Sequence, residues 1–221
     1  MTTTTQRKSS MPGKHILASF DEALVALKED VLELGVLCRT NLSHSVNALL
    51  KRELDQVARV LSNQDEMQNL AHRIDEDAMN LIVRFHPVAS DLRFVLSSMK
   101  VGANLERVSN HVVKIAKRTP KILAIGEVVE VNLLEPLYLR SDQALGQAIV
   151  AYSDNNPDLV AELNEDDDEI DKLYKKARRT FTSAIEDNPA NYRELIHLMF
   201  VARSLERIGD HAVHIAENLL E

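Results

Sequence analysis

The sequence predicts an all-α protein made of two tandem, sequence-related three-helix bundles, six antiparallel helices in all, and three observations predict it. Apolar residues recur at helical spacing along most of the chain. Six glycines and six prolines in 221 residues are too few for an all-β protein, which needs many turns. And the phrase NLERVSNHVVKIA at 104–116 returns, altered, as SLERIGDHAVHIA at 204–216.

Residues 1–13 are rich in Thr, Ser and Lys, end in Pro12-Gly13, and are expected to form a disordered tail. A helical pattern then runs from about Ile16 to Leu50. The second predicted helix covers about Glu53 to Phe85, with Met67, Ala71, Ile74, Ala78, Leu81 and Phe85 forming one stripe at alternating four- and three-residue steps. Pro87 stops it. Ser90 and Asp91 offer a cap for a third helix reaching about Lys117. Lys114, Lys117 and Arg118 near its end suit the negative pole of the helix dipole.

Thr119-Pro120 breaks the pattern, and KILAIGEVVEVN reads as a linker or a short strand. The fourth helix is expected to start near Pro136, a residue suited to a first turn, and to end at Ser153–Asn156. Pro157 opens a fifth helix to about Ile185; the sixth runs from about Asn191 to the end. The order is three helices, a linker and three helices, with a first bundle at 14–122 and a second at 123–221.

The halves share more than one phrase. DEMQNLA at 65–71 matches DEIDKLY at 168–174, and eight of sixteen positions agree between 101–116 and 201–216. A repeat this long is a duplicated domain, and a three-helix bundle is the simplest way for each copy to bury three apolar stripes.

The formal net charge of −8 disfavours nucleic acid and anionic lipid, and suits cations or a basic patch on another protein. No apolar run is long enough for a membrane span, and no secretory leader is visible, so a cytoplasmic location without membrane insertion is expected. The single cysteine, Cys38, reads as core packing.

The sixth helix has a seam of Leu198, Ala202, Leu205, Gly209, Ala212, Ala216 and Leu219, whose small members invite close approach of another helix. Glu206 and Asp210 lie one turn apart on one flank of that seam. On the fifth helix Asp171 sits just off the seam and Asp167 near it. A short connection makes the two helices antiparallel neighbours, so equivalent flanks face and four carboxylates could converge. Such a cluster is either a solvated acidic face or a cation site for Mg, Mn, Fe or Zn, and the spacing alone leaves both open. Arg207 reads as a surface ion-pair partner, and His111 and His211 as cap or surface residues. No phosphate loop, nucleophile elbow, anion cradle or pair of Glu-x-x-His motifs is present.

HPVASDLRFVLSSMKVGANLERVSNHVVKIAKR at 86–118 and LMFVARSLERIGDHAVHIAENL at 198–219, taken with the duplication, resemble the PhoU family of phosphate-transport regulators. The resemblance implies two similar three-helix bundles, no enzymatic activity, and iron or zinc clusters on Glu/Asp-x-x-x-Asp motifs. It implies partners at the membrane, a sensor histidine kinase and the phosphate transporter's ATPase subunit, and a common homodimer. Asp167, Asp171, Glu206 and Asp210 match the metal motifs. In the first half Gln64, Gln68 and Asn110 replace acids, leaving Glu106 and Asp65, and Asn104 stands where Asp is frequent. One competent metal site in the second bundle and a weakened or absent one in the first are expected. The alternative is a metal-dependent helical-bundle enzyme or a metal-storage protein.

Overall fold

The helical spacing of apolar side chains carries over into seven α-helices among residues 12–124 and 129–219, which the computed structural model describes. They are α1 (Pro12–Leu50), α2 (Leu54–Ser62), α3 (Gln64–Phe85), α4 (Ala89–Leu123), α5 (Leu134–Asp154), α6 (Val160–Asp187) and α7 (Tyr192–Glu217). Short 3-10 turns at Val129–Leu133, Pro157–Leu159 and Pro189–Asn191 precede α5, α6 and α7. The tail expected at 1–13 lies outside the described residues except for Pro12 and Gly13, which stand at the start of α1.

Three boundaries differ from expectation. The second predicted helix divides at Asn63, whose amide donates to Asn41 Oδ1 at 3.1 Å. This tie marks the break, and α2 and α3 each pack separately on α1 and α4. The described end of the linker, Val129–Leu133, is a 3-10 turn and not a strand. And α4 passes through Pro120 to Leu123. Pro120 has no N–H to give, but Ile122 is buried beyond it and Arg52 donates to the Leu123 carbonyl at 3.3 Å, so tertiary contacts hold the last turn. The stops at His86 and Asn155 are left-handed, with φ of 50° and 49°.

Helices α1, α3 and α4 pack on one another, as do α5, α6 and α7. The halves meet where α4 lies against α7 and α1 against α5. The α4–α7 pair is antiparallel. Ser97 Oγ donates to the Asn218 carbonyl at 2.9 Å, Asn104 Oδ1 lies 3.1 Å from His211 Nδ1, and Arg118 Nη1 lies 3.0 Å from His197 Nδ1. On the other pair Arg39 grips Asp142 with two bonds of 3.0 and 2.7 Å. The buried apolar residues of both halves form one continuous core.

Cys38 packs in that core with Sγ 3.5 Å from the Leu105 carbonyl, and burial pushes its thiol up to about 12. Across the junction, buried Tyr152 and Ser98 share a hydrogen bond of 2.8 Å, while Ser98 donates to the Phe94 carbonyl. Tyr152 therefore supplies the proton between them. Tyr152→Phe is expected to lower stability by about 1 kcal/mol in a denaturant melt, because it strips a buried oxygen of its donor.

Each half repeats one close approach of its last two helices. A Cβ on Gly102 would stand 2.8 Å from Ile74 Cγ2, and one on Gly209 would stand 2.8 Å from Ile170 Cδ1. The small-residue seam expected on the last helix thus receives α6.

Candidate metal centre

The contact of Ile170 with Gly209 fixes the register between α6 and α7. One residue further round each helix, that register brings the four predicted acids into a common electrostatic field. Glu206 feels Asp210 and Asp171, and Asp167 feels Asp210 and Asp171. The sequence prediction that the two flanks face each other is met in that sense.

The acids are unequal in depth. Glu206 is 6% exposed, whereas Asp167, Asp171 and Asp210 are half-buried. Burial, reinforced by repulsion from Asp210, pushes the Glu206 carboxyl up to about 7 despite Arg203 and Arg207. Burial and then Asp210 and Asp171 push Asp167 upward as well. These are the shifts expected of carboxylates crowded at a low-dielectric groove.

Basic side chains already answer part of this charge. Lys175 Nζ donates to Asp171 at 2.7 Å, Arg207 Nη1 donates to Asp210 at 2.7 Å, and Arg203 donates to Glu206 Oε1. Glu206 Oε2 is buried and without a hydrogen bond, with Arg207 Nε 3.7 Å away. Among the described residues no three His, Cys, Asp or Glu side chains are already drawn together as a ligand shell. The groove therefore offers oxygen donors of the kind hard cations prefer, one of them orphaned, beside a lysine and two arginines that engage Asp171, Glu206 and Asp210.

The first half lacks this arrangement. Glu106 is exposed where its counterpart Glu206 is buried, and Asp65 is exposed too. Gln64 accepts from Lys117 at 3.1 Å, a use that needs no metal. Asn104 is buried, donating to the Lys100 carbonyl at 3.0 Å and pairing with His211, so its amide ties the halves together. Arg207 is the surface ion-pair partner expected of it. His111 and His211 are not caps or surface residues: they stand half-buried between α4 and α7, ring centroids 6.0 Å apart.

Sequence reasoning passed over two residues. Asp166, 8% exposed, faces α5, where Arg140 at 3.2 Å and Gln143 at 3.5 Å hold it. It is the acid on α6 that packs inward, a depth assigned from the spacing to Asp167. Arg203 stands three residues before Glu206 on the same helix, a spacing the sequence does display; what one helix read alone does not show is that its guanidinium also lies 5.6 Å from the Tyr174 ring centre on α6.

A duplicated helical bundle with acidic pairs on its last two helices defines a class, and comparison with known proteins gives that class its family. The PhoU domain model matches twice, at residues 31–119 and 137–219. The chain belongs to the PhoU family. It is 32% identical over 212 residues to the phosphate-specific transport system accessory protein PhoU homolog of Rhizobium meliloti, covering 95% of this chain and 89% of that one. The homolog of the same description from Xylella fastidiosa strain 9a5c is 29% identical over 93% of this chain and 87% of its own. The crystal structure of PhoU from Pseudomonas aeruginosa superposes with a TM-score of 0.88 at 27% identity, covering 91% of this chain and 97% of that one. A PhoU structure from Streptococcus pneumoniae shares the fold, with a TM-score of 0.82 at 23% identity over 91% and 95% of the two chains. Among the described residues no helix is long and apolar enough to cross a membrane.

Proposed function

We propose that the chain is an accessory regulator of a phosphate transport system, acting by protein contact and without catalysis. The observation that carries this is family membership in both halves, joined to relatives described as phosphate-specific transport system accessory proteins. Its partners in this reading are the transporter's ATPase subunit and a sensor histidine kinase, met on the cytoplasmic side of the membrane. A homodimer is its working state, to be checked by light scattering.

A bound cation belongs to the same reading. Asp167, Asp171, Glu206 and Asp210 would hold it, and iron, zinc, manganese and magnesium all accept their oxygens. A metal there would supply positive charge that offsets the mutual repulsion of the four acids. Lys175, Arg203 and Arg207 now engage Asp171, Glu206 and Asp210, so loading requires these side chains to swing aside. Glu206 must lose its proton first, and its carboxyl titrates near 7, so affinity falls as the pH drops through that value.

Metal analysis of the purified protein beside Glu206→Gln/Asp210→Asn tests the site, with metal expected in the former and at least about tenfold less in the latter. Equal metal in both proteins removes the assignment. Deleting the gene is expected to switch on a phosphate-starvation reporter in phosphate-rich medium. A reporter that stays silent removes the regulatory reading.

A further inference from the structure

The α4–α7 junction has an electrostatic character opposite to that of the chain. Arg107, His111, Lys114 and Arg118 follow one another on α4 at steps of four, three and four, a single stripe on one face of the helix. From Arg107 to Arg118 the stripe is about 16 Å long. The antiparallel partner helix sets His197, Arg207 and His211 against it. His211 lies against His111 at 6.0 Å between ring centroids, and His197 pairs with Arg118 at 3.0 Å.

The charge of the strip is carried by Arg107, Lys114 and Arg118, and the histidines between them stay neutral. His111 is held down to about 4 by burial and then by Lys114, His211, Arg207 and Arg203. His197 is lowered by burial, Arg118 and Lys121, with Glu194 opposing. The carboxylates Glu206 and Asp210 flank the strip on the α6 side, occupied by Arg203 and Arg207.

Arg118 is the focus. It meets no carboxylate within ion-pair distance among the described residues; its guanidinium is stacked 4.0 Å above the Phe200 ring. Phe200 and the preceding-turn Ile196 are 49% and 39% exposed. A partly dehydrated arginine over an exposed ring, with Lys121 and His197 beside it, lacks an anion and covers an apolar surface at the same point.

We propose that the α4–α7 strip is the docking surface for an acidic amphipathic helix of a partner protein, whose carboxylates meet Arg107, Lys114 and Arg118 and whose apolar side chains cover Ile196 and Phe200. Charge complementarity selects this occupant. A chain of net charge −8 repels long polyanions and anionic membranes, while a short acidic helix matches one local row of cations. The exposed Ile196 and Phe200 ask for apolar contact that a phosphate backbone does not provide. The inference rests on the adaptor reading only for the existence of a partner.

The test uses fluorescence anisotropy of a labelled helical peptide of Glu, Leu and Ala, its glutamates spaced four, three and four. The intact protein is expected to bind it, less tightly as NaCl is raised. Lys114→Glu/Arg118→Glu is expected to weaken binding about a hundredfold or more, two like-charge contacts replacing two attractive ones. Lys176→Glu/Arg179→Glu, the same charge change on exposed residues of α6, is expected to leave it unchanged. Phe200→Ala, which alters no charge, is expected to weaken binding about fivefold and guards against a folding defect in the charge-reversed variant. Equal losses from both double variants, no binding at all, or tighter binding of an oligonucleotide or phosphatidylglycerol vesicles would overturn the proposal. A Lys114→Glu/Arg118→Glu protein that still silences the starvation reporter also overturns it, leaving the adaptor reading intact. Peptide binding that follows the expected pattern, with no reporter response to gene deletion, keeps the surface and removes the adaptor reading.

Discussion

Leucine in place of Gly209 is expected to lower the stability of the protein by about 2–3 kcal/mol, or about 5–10 °C in melting temperature. Even a Cβ there would meet Ile170 Cδ1 at 2.8 Å, and a full isobutyl group has nowhere to go between α6 and α7. The helices must part, and parting them separates Asp167 and Asp171 from Glu206 and Asp210. Metal affinity should therefore fall with stability. Gly102→Leu is the matched control: the same intrusion meets Ile74 in the first half, and a similar stability loss is expected with metal content largely kept. A calorimetric melt and a metal assay on both variants separate the outcomes. Loss of metal from both alike would show that the site depends on global stability and not on the α6–α7 register.

The second large effect has an unexpected sign. Glu206→Gln is expected to stabilise the metal-free protein at pH 8 by about 1–2 kcal/mol, allowing for screening by solvent and the two arginines. The carboxyl titrates at about 7 in the fold against an ordinary 4.5. The native state thus holds a proton that the unfolded chain has already released. Wild-type stability declines as the pH rises from about 4.5 to 7 and then levels. Glutamine removes the titration and flattens that limb. His111 and His211 bend the curve the other way. Each is held down to about 4, so the unfolded chain takes up protons first and stability falls as the pH drops below 6.5. Urea midpoints of both proteins across pH 4 to 8 check the prediction. A Glu206→Gln protein no more stable than wild type at pH 8 would remove the strained-carboxylate account.

The duplication, the all-helical class and the facing flanks of α6 and α7 were legible because each rests on periodicity. Stripes such as Met67–Phe85 carry their own phase, and a short connection fixes antiparallel order. Breaks were harder to read. Asn63 divides a helix through a bond to Asn41, twenty-two residues away, which no local window contains. Pro120 fails to end α4 because Ile122 and Arg52 hold the turn beyond it. At the site, acid types and spacings were visible, but depth was not. Whether Asp166 or Asp167 turns inward depends on how α5 packs across α6, and Arg140 on α5 settles it. The histidines were misplaced for a related reason. His111 and His211 lie on the outer edge of their own bundles and become half-buried only where the bundles meet.

That meeting is uneven in one detail. His211 Nδ1 finds Asn104 Oδ1, but the equivalent position in the other repeat, opposite His111, holds Ser204, whose hydroxyl turns back to the Phe200 carbonyl, and His111 Nδ1 is left without a partner. The twin copies are thus no longer interchangeable parts. A molecule built from two second halves would strand a polar nitrogen on both sides of the join, whereas one built from two first halves would set an asparagine opposite each histidine. Divergence has given each copy an address within the molecule.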